Sequence, residues 1–386
     1  MANRYSKRKP DNTGSGRRGA DNSRYGDNYD RLETKDGRVH SNNNFEDVSS
    51  FSTSRAYKNR QDVPVNTGRT KKKKSKLKIF LIVFLVLVVG IFCYGQYLLG
   101  GVSRKDISTN LEVLGISPEV VSDDKITNIA LFGLDGRSDS FEGRSDAIMI
   151  ISVDRKHNKI KMTSILRDSN VYIEGYGNDK ITHAYAYGGP ELAVRAINEN
   201  FKLDITDYVT VNFVRMAKIV DAFGGAKVEI TDDEMNEINS NLRMTAAQDA
   251  NSGVTEADYL YQSGNVLLNG NQAVAFSRIR YIGNDDARAG RQQKVMSGLI
   301  TRVKEISKLE YPNLIREVSS ESETSLDFAD ILGLSPIMLT GFDIETLSIP
   351  GERESARGGY TDNGGWVYLY DLDAAAEHIH SFIYED

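Results

Sequence analysis

Ile79–Leu99 reads IFLIVFLVLVVGIFCYGQYLL, 21 residues without a charge in which Gln96 is the only strongly polar side chain. At about 1.5 Å per residue, a helix of that length runs about 31 Å, which matches the hydrocarbon core of a bilayer. A cleaved signal peptide would be shorter, lie close to the N-terminus and be followed by an A-x-A-like site. None of these holds, and Cys93 follows Phe92 where a lipoprotein signal needs a small residue. The sequence therefore predicts one uncleaved transmembrane signal-anchor helix and excludes a wholly soluble cytoplasmic protein.

The anchor divides chemically different parts. Met1–Lys78 holds 20 Lys and Arg against 9 Asp and Glu, leaving 28 against 45 for the rest, from totals of 48 and 54. Lys71–Lys74, Lys76 and Lys78 crowd one end of the anchor, while only Arg104 and Lys105 stand near the other. The positive-inside rule then keeps the N-terminus cytoplasmic and places Gly100–Asp386 outside the cell membrane. One cysteine in 386 residues excludes a disulfide scaffold and a zinc finger. The basic tail, residues 1–78, is rich in Asn, Ser, Gly, Arg and Asp and poor in aliphatic residues, so it is expected to be disordered. It reads as a topology signal touching anionic lipid at about 1 kcal/mol per nearby basic residue, not as a nucleic-acid arm. Residues 100–125 read as an extracellular linker and 126–386 as the catalytic domain.

From Ile126 the pattern is that of layered α/β structure. Ile126–Phe132, Ala147–Val153 and Lys159–Leu166 read as buried strands. Pro190 opens a helix reaching Phe201; a strand Tyr208–Phe213 precedes a helix Val214–Phe223, which Gly224 and Gly225 stop before the strand Ala226–Ile230. Thr231–Gln262 reads as a long polar loop with little regular structure beyond at most a short helix. Arg291–Ile306 and Asp371–Ile383 read as helices, with a strand at Ile344–Ile349.

Serine- and zinc-hydrolase signatures are missing: there is no G-x-S-x-G and no H-E-x-x-H, nor a P-loop. The one S-x-x-K, Ser75–Lys78, lies on the wrong side of the membrane. His378 and His380 fall on different faces of a predicted helix. What stands out is Arg and Asp at strand ends: Asp135 and Arg137, Arg144 and Asp146, Arg167 and Asp168, then Arg278, Arg280, Asp285, Arg288, Arg291 and Gln292. Mg²⁺ takes one or two carboxylates plus substrate phosphates, and guanidinium forks match phosphate oxygens two at a time. Such a set suits a pyrophosphate substrate, because phosphoryl transfer needs positioning and charge neutralisation rather than covalent help. Arg278 and Arg280 share a direction only if the chain is extended there, so an extended backbone is expected at or before Arg278. GRSD occurs at Gly136–Asp139 and again at Gly143–Asp146, and spacing alone does not choose between the copies.

NIALFGLDGR, EGRSDAIMIISVD, SILRDSNVYI, KITHAYAYGG, DAFGGAKVEI, LNGNQAVAFSRIRY and DDARAGRQQKV, in that order over about 126–306, resemble the successive motifs of the LytR-CpsA-Psr family. SIPGERESARGGY extends a weaker similarity towards the end. The resemblance implies a three-layer α/β/α sandwich with a central mixed sheet and a long apolar pocket for a polyprenyl tail. It implies a phosphotransferase of Gram-positive type envelopes that moves an anionic glycopolymer, teichoic acid or capsular polysaccharide, from undecaprenyl pyrophosphate onto peptidoglycan. It assigns Asp135 and Asp146, from the second GRSD, to Mg²⁺ or Mn²⁺. It assigns Arg137, Arg144, Arg167, Arg278, Arg280, Arg288, Arg291 and Gln292 to the pyrophosphate. Asp135, Arg167, Arg278, Arg280 and Asp285 are the catalytic candidates, with Asp135 and Asp285 both open as the acceptor-activating base. SILRDSN lacks the family's commoner Pro before Arg, and DDARAG lacks its usual pair after the first Asp. A polyprenyl-pyrophosphate pyrophosphatase and a non-catalytic envelope regulator are the competing readings.

Overall fold

The computed structural model describes residues 84–87, 89, 95, 97 and 103–385, except 137–139, 250–251, 284 and 362–363 and the side chains of Asp285 and Leu339. The basic tail, most of the predicted anchor and Arg137 thus lie outside the described residues. Those of the anchor that are described are helical. Among the described residues no helix is long and apolar enough to cross a membrane.

The expected linker is built into the fold from its start: Ser103–Arg104 (β1) forms a sheet edge and Leu114 is fully buried in the core. Ile126–Leu134 (β2), Ser145–Asp154 (β3) and Lys159–Ile165 (β4) follow as an antiparallel meander. The hairpin Asn170–Ile173 (β5) and Gly177–Lys180 (β6) leads into the helix Ile181–Phe201 (α1). Asp207–Asn212 (β7) then lies parallel to β2, and Phe213–Ala222 (α2) starts at once because the Asn212 side chain accepts from the Arg215 amide. Ala226–Ile230 (β8), Asp232–Gln248 (α3) and Gly264–Leu268 (β9) form a hairpin with a helical insertion. Gly270–Ser277 (α4), Asp285–Val303 (α5) and Tyr311–Ser320 (α6) precede the short strand Glu323–Thr324 (β10). Phe328–Leu334 (α7), Pro336–Thr340 (α8), Asp343–Ile349 (β11), the hairpin Arg357–Tyr360 (β12) and Trp366–Leu369 (β13), and Leu372–Tyr384 (α9) complete the chain.

Seven strands make one mixed sheet in the order β1-β10-β7-β2-β3-β4-β11. Side chains in a strand alternate between faces, and here the alternation sorts two chemistries. Ala130, Phe132, Leu134, Ile148 and Ile150 point to one face, where α1 and α9 close the main core. Each such buried aliphatic or aromatic side chain contributes about 1.5–3 kcal/mol. Leu131, Gly133, Ala147 and Met149 point to the other face, towards α2, α4 and α5. Helices therefore cover both faces, as expected.

Two element expectations fail for identifiable reasons. The helix expected from Pro190 begins at Ile181, and only Gly188 and Gly189 depart from helical geometry, directly before Pro190. KITHAYAYGG thus lies largely within α1. Thr231–Gln262 is not a polar loop, since α3 fills more than half of it. A capping box between Thr231 and Glu234 starts α3, its first turn carries Asp232, Asp233 and Glu234, and only Glu234, Ile238 and Leu242 bury one narrow stripe. So thin a stripe leaves little hydrophobic signal.

Candidate active site

The C-terminal ends of β2, β4 and β7 and the N-terminal end of antiparallel β3 share one sheet edge, so Asp135, Asp146, Arg167 and Phe213 converge there. Asp146 owes its direction to a bulge. Gly133 pairs with Ala147 and Leu134 with Ser145, which leaves Asp146 as the extra residue. A bulge re-aims one side chain without disturbing the ladder around it. The Asp146 carboxylate meets Arg167 Nη1 at 3.1 Å through one oxygen and Arg280 Nη2 at 3.7 Å through the other. Arg167 is aimed in turn by Asp168, whose Oδ2 lies 3.3 Å from Nε, and Lys180 Nζ holds Asp168 Oδ1 at 2.6 Å.

The remaining cations arrive from helices. Arg288 and Gln292 lie four residues apart on α5 and so share a face. Arg278 is not extended: it caps α4 at φ −99° and ψ 1°, its amide still bonded to the helix. Its guanidinium lies 5.0 Å over the Phe213 ring, a cation–π contact that orients the fork. The expectation of an extended chain at Arg278 is therefore wrong, because the capping box of Asn269 and Gln272 carries α4 as far as Ser277. Arg278 and Arg280 still reach one cleft, which Asp146, Arg288 and Gln292 also line. A second cleft joins Asp146, Arg167, Arg288 and Gln292.

Beneath these clefts lies an apolar cavity of about 540 Å³, part of it open to solvent. Leu131, Gly133, Ala147 and Met149 form its floor and Met216, Val274, Val295 and Met296 its roof, while Gln292 touches both the cavity and the two clefts. Small residues keep the floor low: a Cβ on Gly133 would stand 2.9 Å from the Ala147 Cβ. The arrangement is a cationic mouth above an apolar chamber.

Other expected residues lie elsewhere. Asp135 is exposed at the rim, its amide bonded to the Arg144 carbonyl at 3.4 Å, and Arg144 is exposed beside it. The Asp285 side chain lies outside the described residues. Arg291 is buried and faces away from the clefts: Nε meets Glu234 Oε1 at 2.9 Å and Nη2 donates to the Ile282 carbonyl at 2.7 Å. Its expected grip on pyrophosphate is corrected to a support for the 279–282 segment that follows Arg278. Spacing could not separate Arg288 from Arg291, because three residues on a helix turn a side chain by about 300°. Lys180 and Phe213 carry no such signal in the sequence: nothing in the run Arg167-Asp168 reveals that Lys180, 12 residues on, returns to Asp168.

Asp135 and Asp146 on adjoining strand ends are a donor set suited to Mg²⁺ that arrives with a diphosphate. Among the described residues, the one group of three close metal-capable side chains is Asp154, His157 and Glu385. It lies at the far end of β3, where Lys161 Nζ already stands 3.2 Å from Asp154 Oδ2 and 2.9 Å from Glu385 Oε1. That cluster is an ion-pair network.

The family model of the LytR_cpsA_psr family matches residues 101–380. The chain belongs to the LytR_cpsA_psr family. Similar members include polyisoprenyl-teichoic acid–peptidoglycan teichoic acid transferase TagT of Bacillus subtilis (strain 168). It is 28% identical over 309 residues, covering 76% of this chain and 92% of that protein. The similarly named TagU of Enterococcus faecalis (strain ATCC 700802 / V583) is 31% identical over 265 residues, covering 66% of this chain and 81% of that protein. The solved structure of TagT bound to LIIa-WTA superposes with a TM-score of 0.53 at 25% identity, covering 67% of this chain and 91% of that chain. Family membership and the mixed sheet with helices on both faces agree with what the motifs imply.

Proposed function

We propose that this protein is a membrane-anchored phosphotransferase that moves an anionic glycopolymer, of teichoic acid or capsular polysaccharide type, from undecaprenyl pyrophosphate onto peptidoglycan. One observation carries the reading: Arg167, Arg278, Arg280 and Arg288 converge around Asp146 directly above an apolar cavity. A diphosphate bonded to a hydrocarbon chain has that same division. The family relatives named as teichoic acid transferases support the same reaction class.

In this reading the polyprenyl chain enters the cavity and the diphosphate lies across the two clefts. The acceptor hydroxyl oxygen bonds to the polymer-side phosphorus as the bond from that phosphorus to the bridging oxygen breaks. The electron pair leaves with polyprenyl phosphate, and the hydroxyl proton passes to a carboxylate, Asp135 or Asp285, and then to water. Four guanidinium forks neutralise the charge that spreads over the phosphoryl oxygens. Asp135 and Asp146 would hold Mg²⁺ or Mn²⁺, which supplies further neutralisation of the diphosphate. Asp146 is then shared between metal and arginines, with Arg167 and Arg280 holding its two carboxylate oxygens in place.

The Ile79–Leu99 anchor and the Lys71–Lys78 cluster support an N-terminus in the cytoplasm and a catalytic domain outside the cell membrane. The test uses radiolabelled polyprenyl-diphosphate-linked polymer incubated with peptidoglycan and the full-length protein. The expected outcome is covalent label on peptidoglycan, lost in Asp146→Asn. Release of phosphate without labelled peptidoglycan would make the protein a pyrophosphatase instead.

A further inference from the structure

Tyr176, Asp179, His183 and Tyr187, at and just before KITHAYAYGG, are four side chains that do not line the two clefts. Tyr176, in the β5–β6 turn, stacks on Tyr187 of α1 with ring centres 4.2 Å apart and planes 10° from parallel. Both are open to solvent, at 55% and 41% exposure. Large aromatic rings left exposed side by side mark a binding surface more often than a packing defect. The pair is also held rigid. The Tyr187 hydroxyl donates to Asp179 Oδ2 at 2.7 Å, and His183 Nδ1 lies 2.8 Å from the same oxygen. Burial raises the Asp179 carboxyl, but the bonds from His183, Tyr187 and the Lys180 amide outweigh it and hold the group below the ordinary carboxylate value.

This step is fastened to the reacting centre. Lys180, next to Asp179, is ion-paired with Asp168, which aims Arg167. The first turn of α1 is bonded to the strand ends themselves: the Thr182 amide donates to the Arg167 carbonyl at 3.1 Å and the Thr182 hydroxyl to the Ser145 carbonyl at 2.9 Å. The Arg144 charge acts on the Tyr187 phenol. Most important is the side on which the step stands. The apolar cavity occupies the sheet face covered by α2, α4 and α5, whereas α1 covers the opposite face. Displacement at phosphorus brings the nucleophile in line with, and opposite, the departing oxygen. An acceptor held on the α1 side would therefore approach opposite a leaving group withdrawn into the cavity.

We propose that Tyr176 and Tyr187, with Asp179 and His183 at their edge, form the acceptor subsite, and that it takes a β-linked amino-sugar chain. The faces of such pyranose rings present C–H bonds to an aromatic plane, and their equatorial hydroxyls and amides reach hydrogen-bonding groups at its rim. The inference rests on the transferase reading and adds to it where the acceptor is held.

The experiment measures binding of two probes to the full-length protein in nanodiscs: peptidoglycan glycan strands freed of stem peptides, and a polyprenyl diphosphate. Tyr176→Ala and Tyr187→Ala should each weaken glycan binding about tenfold, the usual scale for an aromatic anchor, and leave polyprenyl diphosphate binding within about twofold. Tyr176→Phe keeps the ring and should bind glycan like wild type, which separates loss of stacking from misfolding. Unchanged glycan binding in both Ala variants overturns the inference while leaving the transferase reading intact. Weakened polyprenyl diphosphate binding with unchanged glycan binding also overturns it, by assigning the tyrosine pair to the donor. Failure of the wild type to bind polyprenyl diphosphate at all would count against the transferase reading itself.

Discussion

Arg278 and Arg280 are held in different ways, and the difference can be measured. Arg278 is held over Phe213, while Arg280 is 58% exposed in its side chain and lies 3.7 Å from the second oxygen of Asp146. A Lys ammonium reproduces the charge of either residue but not its paired N–H contacts, and charge-assisted hydrogen bonds are worth about 1.5–3 kcal/mol each. Arg278→Lys and Arg280→Lys should each lower transfer at least about tenfold in the peptidoglycan-labelling assay. A double Lys variant with near-wild-type transfer would mean that both are surface ion pairs. Arg291→Ala should fail differently. It leaves Glu234 charged and buried without its partner, at a cost of about 3–5 kcal/mol, so the thermal midpoint without substrate should fall. Thermal unfolding of the protein without ligand separates the two classes, since neither Lys variant disturbs a buried pair.

The bulge in β3 and the cavity floor act as one device, because the same stretch aims Asp146 at the arginines and turns Ala147 into the chamber. Ala147→Leu adds three carbons to a floor facing empty space. Polyprenyl diphosphate binding, followed by displacement of a fluorescent polyprenyl analogue, should fall at least about tenfold, since two or more lost CH₂ contacts at about 0.8 kcal/mol each already amount to that. The thermal midpoint should hold or rise, because the new side chain fills a void rather than displacing packed atoms. A fall in both would show that the chamber has no room to spare. Strand positions of this kind were readable from sequence: IALFGL is uniformly apolar and AIMIISV is so but for Ser152, as strands covered on both sides are. The α3 helix was not readable, because a polar helix with three buried positions carries almost no periodic signal.

Across the whole fold, the end of the sheet remote from the clefts is tied by charge. Lys161 is fully buried between Asp154 and Glu385 and donates to the Ile383 carbonyl at 2.6 Å, which pins the C-terminus of α9 to β3 and β4. Hydrogen bonds from Lys159 and Lys161 hold the Glu385 carboxyl well below its ordinary value of 4.5, at about 2. Burial raises Asp154, but bonds from His157 and Lys161 more than offset it and leave it lowered. A carboxylate depressed on folding contributes stability above its unfolded pKa and loses it as pH falls through the folded one. The thermal midpoint should therefore fall between pH about 4.5 and about 2, and Glu385→Gln should flatten that slope while lowering the plateau. A slope unaltered by the substitution would place the acid sensitivity elsewhere.

Much of this chain could be read from order and spacing alone. A 21-residue uncharged run, a basic flank, buried strands and seven motifs in sequence are local or linear properties, and they sufficed for the α/β class, the family and most members of the cationic mouth. Direction could not be read. Arg288 and Arg291 are equivalent in composition and lie three residues apart, yet one enters the clefts and the other binds Glu234, 57 residues away. Asp146 faces the arginines only because its neighbours pair across β2 and leave it over. Tyr187 gains its stacked partner only when the β5–β6 turn folds back to lay Tyr176 on it. Each of these depends on contacts between residues distant in the chain, and such contacts form only when the sheet and its covering helices have assembled.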